Sequence, residues 1–102
     1  MNFNTRVYYW QIKANNIYKN EFNNPVIISC FFENISKLVI SDGGEELIAK
    51  ACIITNNNLT IGSYVGDINN YNSNIILNHK IIANSIIKSI SGNLIEYKYW
   101  LI

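Results

Sequence analysis

Pro25-Val26-Ile27-Ile28-Ser29-Cys30-Phe31-Phe32-Glu33 is the stretch on which the fold turns. It is β-branched and aromatic almost throughout, too continuous for a strand with one wet face, and it predicts a strand covered on both sides. Pro25 suits the first position, where a missing N–H costs no ladder bond. Downstream, residues 36–40 extend or follow that strand, and Asp42-Gly43-Gly44 is a turn signal able to supply positive φ at a tight reversal. Residues 45–55 then resume extended structure, with Leu47, Ala49, Ala51 and Ile53 alternating against Glu46, Ile48, Lys50, Cys52 and Ile54. Strand, glycine turn and strand make a hairpin.

The pattern repeats on either side. Residues 5–13 read as a strand with Val7 and Tyr9 on one face and Tyr8 and Trp10 on the other, and residues 14–24 as a long polar hairpin loop. Asn56-Asn57-Asn58 breaks the alternation, residues 59–65 predict a short strand carrying Gly62, and residues 69–74 a polar loop. Residues 75–90 are ambiguous: Ile82, Ile86 and Ile90 recur at helical spacing, while isoleucine favours strands. Ser91-Gly92-Asn93 is a turn, after which Leu94, Glu96, Lys98 and Trp100 alternate with Ile95, Tyr97, Tyr99 and Leu101 as a last strand. The expectation is an all-β chain, a small antiparallel β-barrel or sandwich with long loops.

At 102 residues there is room for a single domain spanning 1–102. Hydrophobic residues make up 49%, whereas charged residues make up 15%, below the ~25% of ordinary soluble domains. The surface must then be partly Asn, Ser, Tyr and aliphatic, which suits a subunit whose neighbours cover its apolar patches. AT-rich coding DNA also enriches Asn, Ile and Tyr together. A net charge of +1 without any Lys/Arg stripe argues against sequence-specific duplex binding. Cys30 and Cys52 each sit alone in an apolar run, the setting of buried, reduced thiols. The start lacks a basic segment followed by an apolar one, and no apolar run approaches the ~20 residues of a membrane span, so synthesis in the cytosol is expected.

The chain is poor in catalytic material. His79 is the one histidine, and with two separated cysteines it gives no metal-ligand spacing; an ordinary loop-edge histidine is the expectation. Of the acids, only Asp42, Glu45 and Glu46 lie close together, flanking a turn where Asp serves local backbone bonds, and a calcium loop would need more oxygens at alternate positions. No Gly-Lys-Ser/Thr follows Gly43-Gly44, so it is no phosphate loop. No enzyme activity, no metal and no cofactor are expected. The aromatics, without interleaved Arg and Lys, read as core or interface before they read as a platform for single-stranded nucleic acid.

Several pieces share their order with a known group: Thr5-Arg6-Val7-Tyr8-Tyr9-Trp10; residues 25–34 with Lys37 after them; Ser41-Asp42-Gly43-Gly44-Glu45-Glu46 leading into Ala49-Lys50-Ala51; Ile87-Lys88-Ser89-Ile90-Ser91; and Tyr97-Lys98-Tyr99-Trp100-Leu101. In these the chain resembles the small head-tail connector proteins of tailed bacteriophages, the stopper or head-completion group, often called minor capsid proteins. The resemblance implies a compact β-barrel-like virion protein, made in the host cytoplasm. It would form a homo-oligomeric ring below the portal and adaptor proteins, with tail proteins beneath and packaged DNA held by steric contact, without a membrane. It also implies that residues 81–90 are extended. Tail terminator or adaptor rings are the alternatives within that class, and a small barrel binding single-stranded nucleic acid or a peptide is the alternative outside it.

Within that expectation, residues 36–46 form the candidate channel loop: Ser36, Lys37, Ser41, Asp42, Gly43, Gly44, Glu45 and Glu46 join two apolar strands, bend at glycine and end in acids that would not grip DNA. A plain outward hairpin turn is the competing expectation. Tyr8, Trp10, Tyr97, Tyr99 and Trp100 are the candidate subunit-interface aromatics.

Overall fold

A computed structural model describes residues 3–15, 20–41, 43–88 and 95–102. Among them lie eight strands: β1 (Thr5–Trp10), β2 (Ile12–Asn15), β3 (Asn20–Phe22), β4 (Val26–Ile40), β5 (Glu46–Thr55), β6 (Tyr64–Asp67), β7 (His79–Lys88) and β8 (Ile95–Leu101). The chain is all-β: six of these strands close into an antiparallel barrel in the order β1-β4-β5-β8-β7-β6, and β2 and β3 form a separate hairpin.

Closure follows from period-2 alternation. Each wall strand turns alternate residues inward: Val7 and Tyr9 from β1, Ile28 and Cys30 from β4, Ala51 and Ile53 from β5, Tyr99 and Leu101 from β8. Val65 and Ile81 complete the ring of strands, and Leu59 enters from a loop. In a barrel this narrow side chains fill the interior. Cys30 and Cys52 are both buried free thiols; Cys30 belongs to the barrel core, and burial pushes its thiol up to about 11.

Two tyrosines fasten one end of the barrel. The Tyr99 hydroxyl accepts a 2.6 Å bond from the Leu59 backbone N–H, and the Tyr9 hydroxyl accepts one of 2.9 Å from the Thr60 N–H. Ser63 Oγ, 3.5 Å from the Tyr9 hydroxyl, accepts a bond from the Ile12 N–H. The segment after β5 is thus tied down by side chains rising from the core. Thr55 adds a buried hydroxyl that donates to the Ser29 carbonyl and accepts from Asn57.

Four sequence expectations change here. Residues 14–24 are no simple loop, because Ile12–Asn15 pairs with Asn20–Phe22. Strand structure within residues 59–65 begins only at Tyr64, since Leu59 and Thr60 spend their N–H groups on the two tyrosines. The start of β4 is covered on one face: Ile28 and Cys30 are buried, while Val26 and Ile27 are about half exposed at the barrel's edge. Residues 75–90 split into a 3-10 turn at Ile75–Leu77 and then strand β7, with Ser89 and Ile90 outside the described residues. The Ser91-Gly92-Asn93 turn also lies outside them.

Candidate assembly surfaces

The β4–β5 hairpin outgrows the barrel. β4 pairs with β1 only through Cys30, and β5 pairs with β8 only from Ala51 onward, so residues 37–40 and 46–49 form a two-stranded ribbon beyond the wall. A register shift between Asn34 and Lys37 marks where the ribbon leaves it, as a bulge does by adding a residue and a bend. One face of the ribbon is held: Val39 and Ala49 form a second apolar cluster with Ile82, against which Ile35, Leu47, Trp100 and Ile102 pack. The other face is bare. Leu38, Ile40 and Ile48 are 58%, 66% and 51% exposed, and Leu38 stands directly opposite Ile48.

This arm contains the candidate channel loop and corrects its shape. Residues 36–40 are strand, since aliphatic and polar residues go on alternating past Asn34 and find partners on β5. The turn is confined to residues 41–45: Ser41 N–H donates to the Glu45 carbonyl, the Ser41 carbonyl accepts from Gly44 N–H, and Ser41 Oγ accepts from Glu45 N–H. Gly44 holds φ 86°, the left-handed conformation that favours glycine. Gly43, Gly44, Glu45 and Glu46 are exposed at the tip, Ser36 is exposed on the strand, and Asp42 lies outside the described residues. Lys37 is no tip residue: its Nζ lies 4.6 Å from the centroid of the Trp100 ring at the arm's base, with Lys98 Nζ at 4.4 Å.

Beside the arm opens a cleft of about 610 Å³, lined by Phe32, Asn34 and Lys50 on one side and by Tyr71, Leu77 and His79 on the other. Ile48 and Lys50 alternate onto one face of β5, so the bare face of the arm continues into this cleft. The far wall is the loop between β6 and β7, stapled by Asn78. Its Oδ1 accepts from the Asn72 N–H, and its Nδ2 donates to the carbonyls of Asn72 and Ile75. A Cβ at Gly66 would stand 2.7 Å from Asn78 Oδ1 and 3.0 Å from Tyr71 Cβ, so the close fit of loop on β6 needs glycine. His79 Nδ1 lies 3.3 Å from the Ile102 carbonyl and its ring 5.8 Å from Phe32. Among the described residues no three His, Cys, Asp or Glu side chains gather as metal ligands, and no helix is long and apolar enough to cross a membrane.

The five candidate interface aromatics separate by burial. Tyr99 is inside the barrel and its hydroxyl is committed to Leu59, so it is a core residue and not a surface one. Trp10 is buried as well, within ring-packing distance of Tyr8 and Tyr71. Tyr8, Tyr97 and Trp100 keep partial exposure. Sequence reasoning missed the aliphatic half of the surface: Leu38, Ile40 and Ile48 lie on the face of the ribbon left uncovered among the described residues, while Val39 and Ala49 on its other face are buried. Comparison of the chain with models of known families, with curated proteins and with solved structures returns no match.

Proposed function

We propose that this chain is a structural protein of the bacteriophage head-tail junction, a stopper-like ring subunit below the portal and adaptor that helps retain packaged DNA and docks the tail. The observation that carries the reading is the arm. A 15-residue β4 runs out of a closed barrel into a ribbon with a bare aliphatic face and a glycine-bearing acidic tip. That ribbon contains the segment assigned as the channel loop from the resemblance in motif order along the chain. Closing a channel against DNA is steric and needs no base recognition. Two glutamates at the tip would repel a phosphate backbone, which favours blocking over gripping.

The test is genetic and structural together. Phage particles lacking this chain are expected to accumulate filled heads that leak DNA and carry no tail, and supplying the intact chain is expected to restore tailed particles. A chain trimmed of residues 38–45 is expected to be incorporated but to leak; complete DNA retention by that variant would remove the channel role. Tailed, infectious particles formed without the chain would remove the whole reading. A salt-sensitive complex with a single-stranded oligonucleotide would favour the nucleic-acid-binding alternative instead.

A further inference from the structure

β4 and β7 are the outermost strands of the run β4-β5-β8-β7, and each has one unoccupied edge among the described residues. On β4 the side that faces β1 has no partner strand beyond Cys30, although β5 continues on the other side to Ile40. On β7, β6 reaches only His79 and Lys80, and Ser63 reaches Ile81, while β8 continues on the other side to Lys88. The two stretches lie on opposite sides of the level where Asn34, Ala51, Leu101 and Ile81 meet, residues 37–40 towards the arm and residues 83–88 towards the start of β8, so one copy cannot pair them internally. A long edge of unpaired N–H and C=O groups is a template for another strand.

We infer that copies of this chain join head to tail through these edges, residues 33–40 of β4 in one copy laddering with residues 82–88 of β7 in the next. The inference shares the homo-oligomer premise of the reading above but stands on the strand register. Strand direction supports it: every neighbouring pair in the run is antiparallel, so β4 and β7, with two strands between them, run in opposite senses. A second copy in the same orientation therefore offers its β7 antiparallel to β4, the more stable ladder. Exposed apolar residues lie along both edges. Ile86 stands opposite Tyr97, which packs on the barrel core, and is itself 60% exposed. On the β4 edge Leu38 and Ile40 are 58% and 66% exposed. Charge agrees too: antiparallel pairing brings the start of β7, with exposed Lys80, to the end of the arm that carries exposed Glu45 and Glu46. Because the contact uses two different surfaces, it propagates until rotation closes a ring, or otherwise into a filament.

Leu38→Lys/Ile40→Lys blocks the β4 edge and Asn84→Lys/Ile86→Lys blocks the β7 edge, all at exposed positions. Light scattering and native mass spectrometry of the full chain are expected to show concentration-dependent species larger than a dimer. Each blocked chain alone is expected to be monomeric, and an equimolar mixture to give a heterodimer and nothing larger, since one good edge remains on each partner. Self-association of either blocked chain to the wild-type extent would overturn the joint while leaving a ring through some other face open. A wild type monomeric up to about millimolar concentration, where even weak contacts are populated, would overturn it outright. Amide exchange on the unsubstituted chain needs no variant: protection of residues 33–40 and 82–88 is expected to rise together with concentration, and a rise in one alone would also overturn the joint.

Discussion

The barrel and the arm are built from the same residue types and from parts of the same two strands, yet they bury them to opposite degrees. Ile53 on β5 is completely buried, whereas Ile48, five residues earlier on the same strand, is half exposed. Both have β4 as a neighbour; they differ in face, five residues being an odd step along a strand, and in the second neighbour. At Ile53 strand β8 flanks the other side and Tyr99 lies directly opposite, while at Ile48 the ladder with β8 has not begun. Burial of an aliphatic residue in a sheet therefore depends on its face as well as on its neighbouring strands: Ala49, beside Ile48 and equally short of the β8 ladder, is completely buried in the cluster with Val39 and Ile82.

The largest expected effect tests that difference directly. Ile53→Ala removes atoms from a filled barrel and is expected to cost about 2–5 kcal/mol in chemical denaturation, through lost transfer energy and the cavity left behind. Next is Tyr99→Phe, which takes the acceptor from the buried Leu59 N–H and is expected to cost about 1–3 kcal/mol, whereas Tyr97→Phe should change little. If the two tyrosines weigh the same, the loop after β5 is not held from within.

Alkaline pH probes the barrel alone. Burial raises the Cys30 thiol from an ordinary 9.0 to about 11, so the folded chain keeps a proton that the unfolded chain gives up. Its stabilising contribution is complete below pH 9 and is lost as the pH rises towards 11. The melting temperature is expected to fall across that window, and less steeply in Cys30→Ala. On the arm, Lys37→Ala removes one cation from Trp100 and is expected to cost about 0.5–1 kcal/mol, the usual worth of an exposed pair. Smallest of all, Ile48→Ala should stay within about 0.5 kcal/mol, as for a surface position; a cost close to that of Ile53→Ala would erase the contrast between arm and barrel.

Much of this was legible in the sequence because strand alternation is a local signal. Val7 with Tyr9, Ala51 with Ile53, and Tyr99 with Leu101 all fall on the core face that their spacing predicts. The β4–β5 turn was equally visible in Gly43-Gly44. The candidate surface was harder to read. Tyr99 and Trp10, interface candidates by sequence, lie buried, while the aliphatic Leu38, Ile40 and Ile48 lie bare, since alternation separates the faces of a strand without saying which face has company. Residues 75–90 stayed ambiguous for a related reason: isoleucine at helical spacing fits either state, and pairing of β7 with β8 decides for the strand.

By itself the sequence determined an all-β chain, its main strand-forming segments, the glycine hairpin between β4 and β5, and two solitary cysteines in apolar runs. These depend on contacts a few residues apart, through backbone sterics and period-2 patterning. Only the tertiary structure decided that the strands close into a six-stranded barrel, that Tyr9 and Tyr99 reach out of the core to hold a loop, and that β4 runs past its neighbours. Those outcomes depend on which strands meet and where each ladder stops. The same ladder ends leave one edge of β4 and one edge of β7 without a partner strand among the described residues.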